Sequence, residues 1–178
     1  VLKGRQVAVD STTLEANAAM KSIVRKADGA TYQQYLRKLA EAEGREQATA
    51  AELQQMDRKR KKKVSNRQWK SGTDPDARIA RMKDGRTRMA YKVETAVDLG
   101  SGVTLAAETH AADQDDRKTV EATLLAADET AMNAGVAGGI EDAVMDKGYH
   151  SDAVVTGLEA RGYRGFVSEP KVRGRRNW

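Results

Sequence analysis

Two aspartates stand in the same local setting. Asp10 closes the apolar run of VAVDSTT, and Asp146 closes that of AVMDKGY. Each follows a short strand-like segment and precedes a turn. They lie far apart in the chain, so only folding can bring them together. Neighbouring strands of one sheet would do so if both strand ends point the same way. Paired carboxylates in such a site are hard oxygen ligands suited to Mg²⁺ or Mn²⁺, ions that keep waters and take phosphate oxygens as further ligands. Two such ions, about 4 Å apart, can activate water or a 3′-hydroxyl on one side and stabilise the leaving oxygen on the other. Taken singly, either aspartate has a plainer reading, because Asp readily ends a strand by accepting hydrogen bonds from the turn that follows. The pattern alone leaves both readings open.

The elements that must position these residues can be followed along the chain. Val7 and Val9 mark a short buried strand ending at Asp10. Ser11 and Thr12 offer cap chemistry to a short helix through Glu15 and Met20. After the Asp28-Gly29 break, Thr31 with Gln34 and Thr49 with Glu52 form two capping-box signatures, each opening a helix. Gly44 ends the first of these helices, and the second runs into a dense basic stretch. Residues 64–87 are poor in apolar side chains and contain Ser71-Gly72 and Asp74-Pro75-Asp76, which predicts a loop with one helical turn near 77–82. The period then becomes two. Met89, Tyr91, Val93, Thr95 and Val97 alternate with Ala90, Lys92, Glu94, Ala96 and Asp98, and a second alternating run follows Leu99-Gly100-Ser101-Gly102. This is a β-hairpin signature. A helix from Asp115 to about Asn133, a short strand ending at Asp146, a helix from Asp152 to about Ala160 and a last strand over Tyr163–Val167 complete the order. A hairpin followed by alternating helices and strands predicts a mixed α/β sheet.

The chain of 178 residues carries a net charge of +5 and a pI near 9.4, a balance that favours a polyanionic partner without identifying one. Cysteine is absent, which excludes disulfides and thiolate metal sites, and two histidines make a structural zinc site a poor expectation. No apolar stretch approaches the ~20 residues that span a bilayer. The first ten residues read as a strand rather than a signal peptide, so no membrane partner and a cytoplasmic location are expected. The basic residues concentrate at Arg58, Lys59, Arg60, Lys61, Lys62 and Lys63, with Arg67 and Lys70 around Trp69. Such residues release counterions on binding phosphates, so DNA contact is expected here, although a charge run is ordinarily a solvated face. Trp69 could stack on an unpaired base; packing against the domain is the plainer reading. The tail residues Arg173, Arg175 and Arg176 repeat the basic character. Asp113, Asp115 and Asp116 sit at a helix start and read as caps rather than as a metal site. Glu15 and Asn17 could orient the first carboxylate or simply lie exposed, Asp98 reads as a turn residue, and His150 as a loop residue.

Three segments in order, VAVDSTTLEANA, TDPDARIARMKDGRTRMAYKVETAVD and MDKGYHS, closely resemble the DDE transposases of bacterial insertion sequences, the group also called transposase type 11. The resemblance covers nearly the whole chain. It implies a ribonuclease-H-like α/β fold with a helical, basic insert after the first strand, the insert covering about 20–87 and the hairpin-helix-strand core about 88–170. It also implies that Asp10 and Asp146 are the first two catalytic, metal-binding carboxylates. In such enzymes two Mg²⁺ or Mn²⁺ ions support cleavage of transposon ends and their joining to target DNA, usually by a homodimer. The third carboxylate of the family is a Glu on a helix well downstream. After Asp146 this chain has only Glu159 and Glu169, and neither carries the Tyr, Arg and Lys surroundings of that residue. The expectation is therefore a partial catalytic domain over 1–178 with its third carboxylate beyond Trp178 and its N-terminal DNA-binding region absent, inactive alone. Two alternatives accompany it: a catalytically dead remnant that still binds DNA, and a related metal-dependent nuclease without joining chemistry.

Overall fold

The computed structural model describes residues 2–61 and 64–169. In chain order the elements are β1 (Gln6–Glu15), β2 (Ile23–Arg25), α1 (Tyr32–Ala42), α2 (Ala50–Lys59), β3 (Trp69–Ser71), β4 (Arg78–Arg81), β5 (Thr87–Asp98), β6 (Thr104–Ala111), α3 (Asp116–Asn133), β7 (Asp142–Met145), α4 (Asp152–Ala160) and β8 (Arg164–Val167). They divide into two compact units. The first comprises 1–12, 92–110 and 114–178, and the second 13–91 with 111–113.

In the first unit the strands lie in the order β6–β5–β1–β7–β8. The β5–β6 hairpin comes first, and β1, β7 and β8 then run parallel. The backbone N–H of Leu99 donates to Gln6 O at 2.9 Å, tying the end of β5 to the start of β1. Parallel register is fixed by a polar ladder at one end of the sheet. Gln6 pairs with Asp142 and Asp142 with Arg164 across the three strands. The Asp142 carboxylate accepts from Gln6 Nε2 at 2.9 Å and from Arg164 Nε at 2.6 Å. Those two partners, the Gln6 hydrogen bond first, hold its pKa below the ordinary carboxylate value against the opposing effect of burial.

The core of this unit joins Val7, Val9, Ala143 and Met145 of the sheet to Val120, Leu124, Ala127 and Ala131 of α3 and to Val154 and Leu158 of α4. Both helices therefore cover the same face. Strand alternation puts Val7, Val9 and Ser11 on that face and Ala8 and Asp10 on the other. In β5 the buried face is the one carrying Ala90, Lys92, Glu94, Ala96 and Asp98, while Tyr91, Val93 and Val97 are only half-buried. Asp98 is fully buried and accepts from the backbone N–H of Lys3 and Gly4, from that of Gly100 and from Ser101 Oγ at 2.5 Å. Burial pushes its pKa up, but these donors outweigh it and the net effect is downward. Beyond closing the hairpin turn, Asp98 thus fastens the chain leading into β1.

The second unit is built around Trp69, which is 2% exposed and meets the rings of Tyr32 and Tyr35 edge-on at 5.1 and 5.3 Å. Both helices begin at the foreseen capping boxes, Thr31 with Gln34 and Thr49 with Glu52, and Gly44 ends α1 with a φ of 75°. Leu36, Ala40 and Leu53 form a small helix–helix core.

Two expectations are corrected. The expected helix after Asp10 is strand: β1 runs on to Glu15, the backbone N–H of Ala16 donates to Met89 O, and Glu15 is paired with Arg88. Only a 3₁₀ turn at Met20–Ser22 follows. The expected loop over 64–87 contains β3 and β4, which pair antiparallel with β2 and β5, Ile79 facing Met89. Strands of three or four residues are too short for periodicity to reveal. Here long-range pairing makes them.

Candidate active site

The register of β1 and β7 answers where the two aspartates lie. Val9 pairs with Met145 in parallel, and Asp10 and Asp146 are the next residue on each strand. Asp146 keeps an extended backbone (φ −77°, ψ 174°). Neighbouring strands lie about 4.8 Å apart, and paired residues of parallel strands point to the same face. Val9 and Met145 face the core, so both aspartates project to the opposite face, where both are exposed. The fold thus brings the two together at the same end of adjacent strands.

Their local hydrogen bonds differ. Asp146 caps the 3₁₀ turn Lys147–Tyr149, its Oδ1 accepting from Gly148 N at 2.7 Å. This is the plain turn role, and it uses one carboxylate oxygen. Among the described residues, Asp10 accepts only from the next amide, Ser11 N, at 2.9 Å. Because β1 continues past it, Asp10 ends no strand and opens no turn, so the turn reading fails for it. Neither carboxylate has a cationic partner among the described residues. Two uncompensated acids side by side on a solvent-facing surface suit a divalent cation with retained waters.

Beneath them, on the core side, lies a buried polar network absent from the sequence-based expectations. Glu94 is fully buried and accepts from Thr119 Oγ1 at 2.9 Å, Thr123 Oγ1 at 2.5 Å and the Tyr149 hydroxyl at 3.0 Å. His110 Nε2, 4.0 Å from the same carboxylate, is buried without a hydrogen-bond partner among the described residues. Burial first, and then the Glu94 carboxylate, raise the Tyr149 pKa well above the ordinary phenol value, keeping the phenol a donor. Ser11 Oγ donates to Asp116 Oδ1 at 2.9 Å. Lys92 Nζ reaches the same Asp116 oxygen at 2.7 Å and Gln114 O at 2.6 Å. The only sequence signal for this network was two charged residues, Lys92 and Glu94, sharing a face of an alternating strand.

The remaining candidates fall as follows. Asp115 is the N-cap of α3 and pairs with Arg117, which pushes its carboxyl down to about 2. Asp113 lies 3.8 Å from Arg78. Of the possible third carboxylates, Glu159 is exposed on α4 and Glu169 is exposed after β8, and no group of three acidic or histidine side chains placed to hold a metal occurs among the described residues. His150 follows the 3₁₀ turn, half-buried. In the second unit, Arg58, Lys59, Lys61, Arg67 and Lys70 are exposed. Arg60 is engaged instead: Nη1 lies 3.3 Å from Asp57, Nη2 donates to the Tyr35 hydroxyl at 3.2 Å, and the guanidinium lies over the Tyr35 ring. Trp69 is packed, not offered for stacking. Lys62, Lys63, Arg173, Arg175 and Arg176 lie outside the described residues.

A hairpin followed by parallel strands, with helices on one face, is a mixed sheet of the ribonuclease-H-like kind. A family model described as the transposase DDE domain matches residues 2–174, and the chain belongs to that family. Members of the family act on DNA in transposition and generally use divalent metal ions. No curated protein and no solved structure matches the chain closely enough to count as similar. No helix among the described residues is long and apolar enough to cross a membrane.

Proposed function

We propose that this chain supplies the first two carboxylates, Asp10 and Asp146, of a metal-dependent site for DNA strand cleavage and strand transfer in the transposition of an insertion sequence. The observation that carries the reading is the parallel β1–β7 register, which sets two exposed, uncompensated carboxylates at one end of neighbouring strands. Mg²⁺ or Mn²⁺ held there, as one or two ions, would supply Lewis-acid polarisation of a phosphoryl oxygen and activation of water or a 3′-hydroxyl. The protein's part is positional. Asp10 and Asp146 each offer the carboxylate oxygen that its backbone hydrogen bond, from Ser11 N and Gly148 N respectively, leaves unused. The exposed Arg58, Lys59, Lys61, Arg67 and Lys70 of the basic insert contact DNA phosphates, whereas Arg60 holds the end of α2 against Tyr35. Two carboxylates leave the geometry of an ion open, so the chain alone performs no strand transfer. The active assembly is a homodimer acting on paired transposon ends and target DNA in the cytoplasm.

The test is a Mn²⁺ titration followed by paramagnetic broadening of backbone amides. Broadening is expected to centre on residues 10–12 and 146–150 and to vanish in Asp10→Asn and in Asp146→Asn. DNA binding should stay salt-dependent and unchanged in both variants, while Arg67→Ala and Lys70→Ala should each lower the salt slope by roughly one. Equal broadening in the wild type and both Asn variants would overturn the metal site.

A further inference from the structure

An open cleft of about 330 Å³ lies between α1 and α2 in the second unit, a size that suits a small organic group. Tyr32, Gln33 and Leu36 line it from α1, Gln54, Asp57 and Arg58 from α2, and Lys21 from the 3₁₀ turn ahead of β2. Residues three and four apart share one side of a helix, which is why these positions gather. The floor is apolar and ordered. Leu36 is buried, and Tyr32 is fixed by Trp69 against its ring and by its hydroxyl, which donates to Asp57 at 2.7 Å. Asp57 also pairs with Arg60 at 3.3 Å, so its charge is balanced. The rim is different. Lys21 and Arg58 are exposed and have no acidic partner among the described residues. The side-chain amides of Gln33 and Gln54, also on exposed residues, make no hydrogen bond there. Two unpaired cations, two free donor–acceptor amides and one fixed aromatic ring thus line a single cleft.

Resting on the reading that this basic insert contacts DNA, we propose that the cleft binds one unpaired nucleotide of a DNA strand. The base lies against Tyr32 and Leu36, Gln33 and Gln54 hydrogen-bond its edge, and Lys21 and Arg58 take the flanking phosphates. The lining chemistry favours a strand over a duplex. A duplex keeps its bases stacked inside and offers the cations its phosphates, with nothing for an apolar floor. A single strand offers both, and its bases stack on aromatic side chains in a basic groove. Phosphate oxygens only accept hydrogen bonds, whereas a glutamine amide carries a donor and an acceptor together, the pair that a base edge matches.

The experiment uses the full chain with fluorescent oligonucleotides of equal length: single-stranded oligodeoxyadenylate, an abasic strand and a duplex. The base-bearing strand is expected to bind on the order of ten-fold more tightly than the abasic one. Its titration should shift the side-chain amide signals of Gln33 and Gln54 and the ring signals of Tyr32. Gln33→Ala combined with Gln54→Ala should remove most of that advantage and leave the salt dependence unchanged. Lys21→Ala should instead lower the salt slope by about 0.7 with either strand. All three substituted side chains are on exposed residues, so the fold does not depend on them. Equal binding of the base-bearing and abasic strands, or an advantage that survives in the double variant, would overturn the nucleotide site while the phosphate contacts of the insert stand. Tighter binding of the duplex than of the strand would overturn it as well. If none of these DNAs binds at low salt, the DNA reading of the insert has itself failed.

Discussion

The two units of this protein solve the problem of a small core in different ways. The second unit relies on aromatic packing. Buried Trp69, with the partly buried Tyr32 and Tyr35 against it, packs beside Ile23 and Met89, and α1 and α2 are joined by a few aliphatic contacts. The first unit has a conventional aliphatic core between sheet and helices, yet it also buries Lys92, Glu94, Asp98, Thr119, Thr123 and Asp142. Buried polar groups are costly unless satisfied, and here nearly every one has named partners. The aromatic unit needs only to hold its shape and present exposed cations. The sheet unit must also hold two strand ends in a defined relation. Hydrogen bonds have preferred lengths and directions, whereas apolar contacts tolerate sliding. Lys92, Glu94, Thr119 and Thr123 form the network near the ends of β1 and β7 that carry the aspartates, whereas Asp98 and Asp142 tie down the starts of those strands.

The comparison can be broken most directly at Trp69. Trp69→Ala should cost about 3–5 kcal/mol, read as accelerated hydrogen exchange in residues 20–60, and Leu124→Ala about 2–5 kcal/mol in the first unit. If Trp69→Ala is tolerated with less than ~1 kcal/mol lost, the second unit is not organised around its aromatic cluster. A smaller effect should separate the units by pH. The carboxyls of Asp98 and Asp142 are depressed in the folded state, so their stabilisation is present above the ordinary aspartate value of 3.8 and is lost as pH falls below it through the folded values. Melting of the first unit should therefore be acid-sensitive, and Asp98→Asn should lower its midpoint at neutral pH while flattening that acid dependence. An unchanged acid profile in Asp98→Asn would remove Asp98 from the account. The smallest expected effect is that of Thr49→Ala, about 1 kcal/mol through loss of the α2 capping box, measured by chemical denaturation.

Several features were legible before folding because their causes are local. A capping box is a four-residue contact, and Thr31 and Thr49 each cap the helix that their residue types announce. The long alternation of β5 and the glycine-containing turn before β6 announce a hairpin in the same way. The failures have a common cause as well. Ser11 and Thr12 suit a helix start or a strand equally, and the choice was made by β5, whose residues lie some eighty positions away. β3 and β4 exist because β2 and β5 offer partners. Glu159 and Glu169 are the only glutamates after Asp146, and among the described residues neither joins it in a group placed to hold a metal.

By itself the sequence determined the two capped helices, the hairpin and the helix–strand order that follows it, the family to which the three ordered segments belong, and the two aspartates that follow apolar residues. Their residue types and near neighbours carry that information. Three things were decided only by the tertiary structure. The Gln6–Asp142–Arg164 ladder sets the parallel register that brings Asp10 beside Asp146. The placement of α3 and α4 on one face leaves both aspartates on the other. And the face of β5 that is buried is the one bearing Lys92, Glu94 and Asp98, not the one bearing Tyr91, Val93 and Val97. Alternation reveals two faces but not which is inside. That depends on donors arriving from α3, from the N-terminal residues and from Tyr149, and a strand has no local means of announcing partners that reach it only when the chain folds.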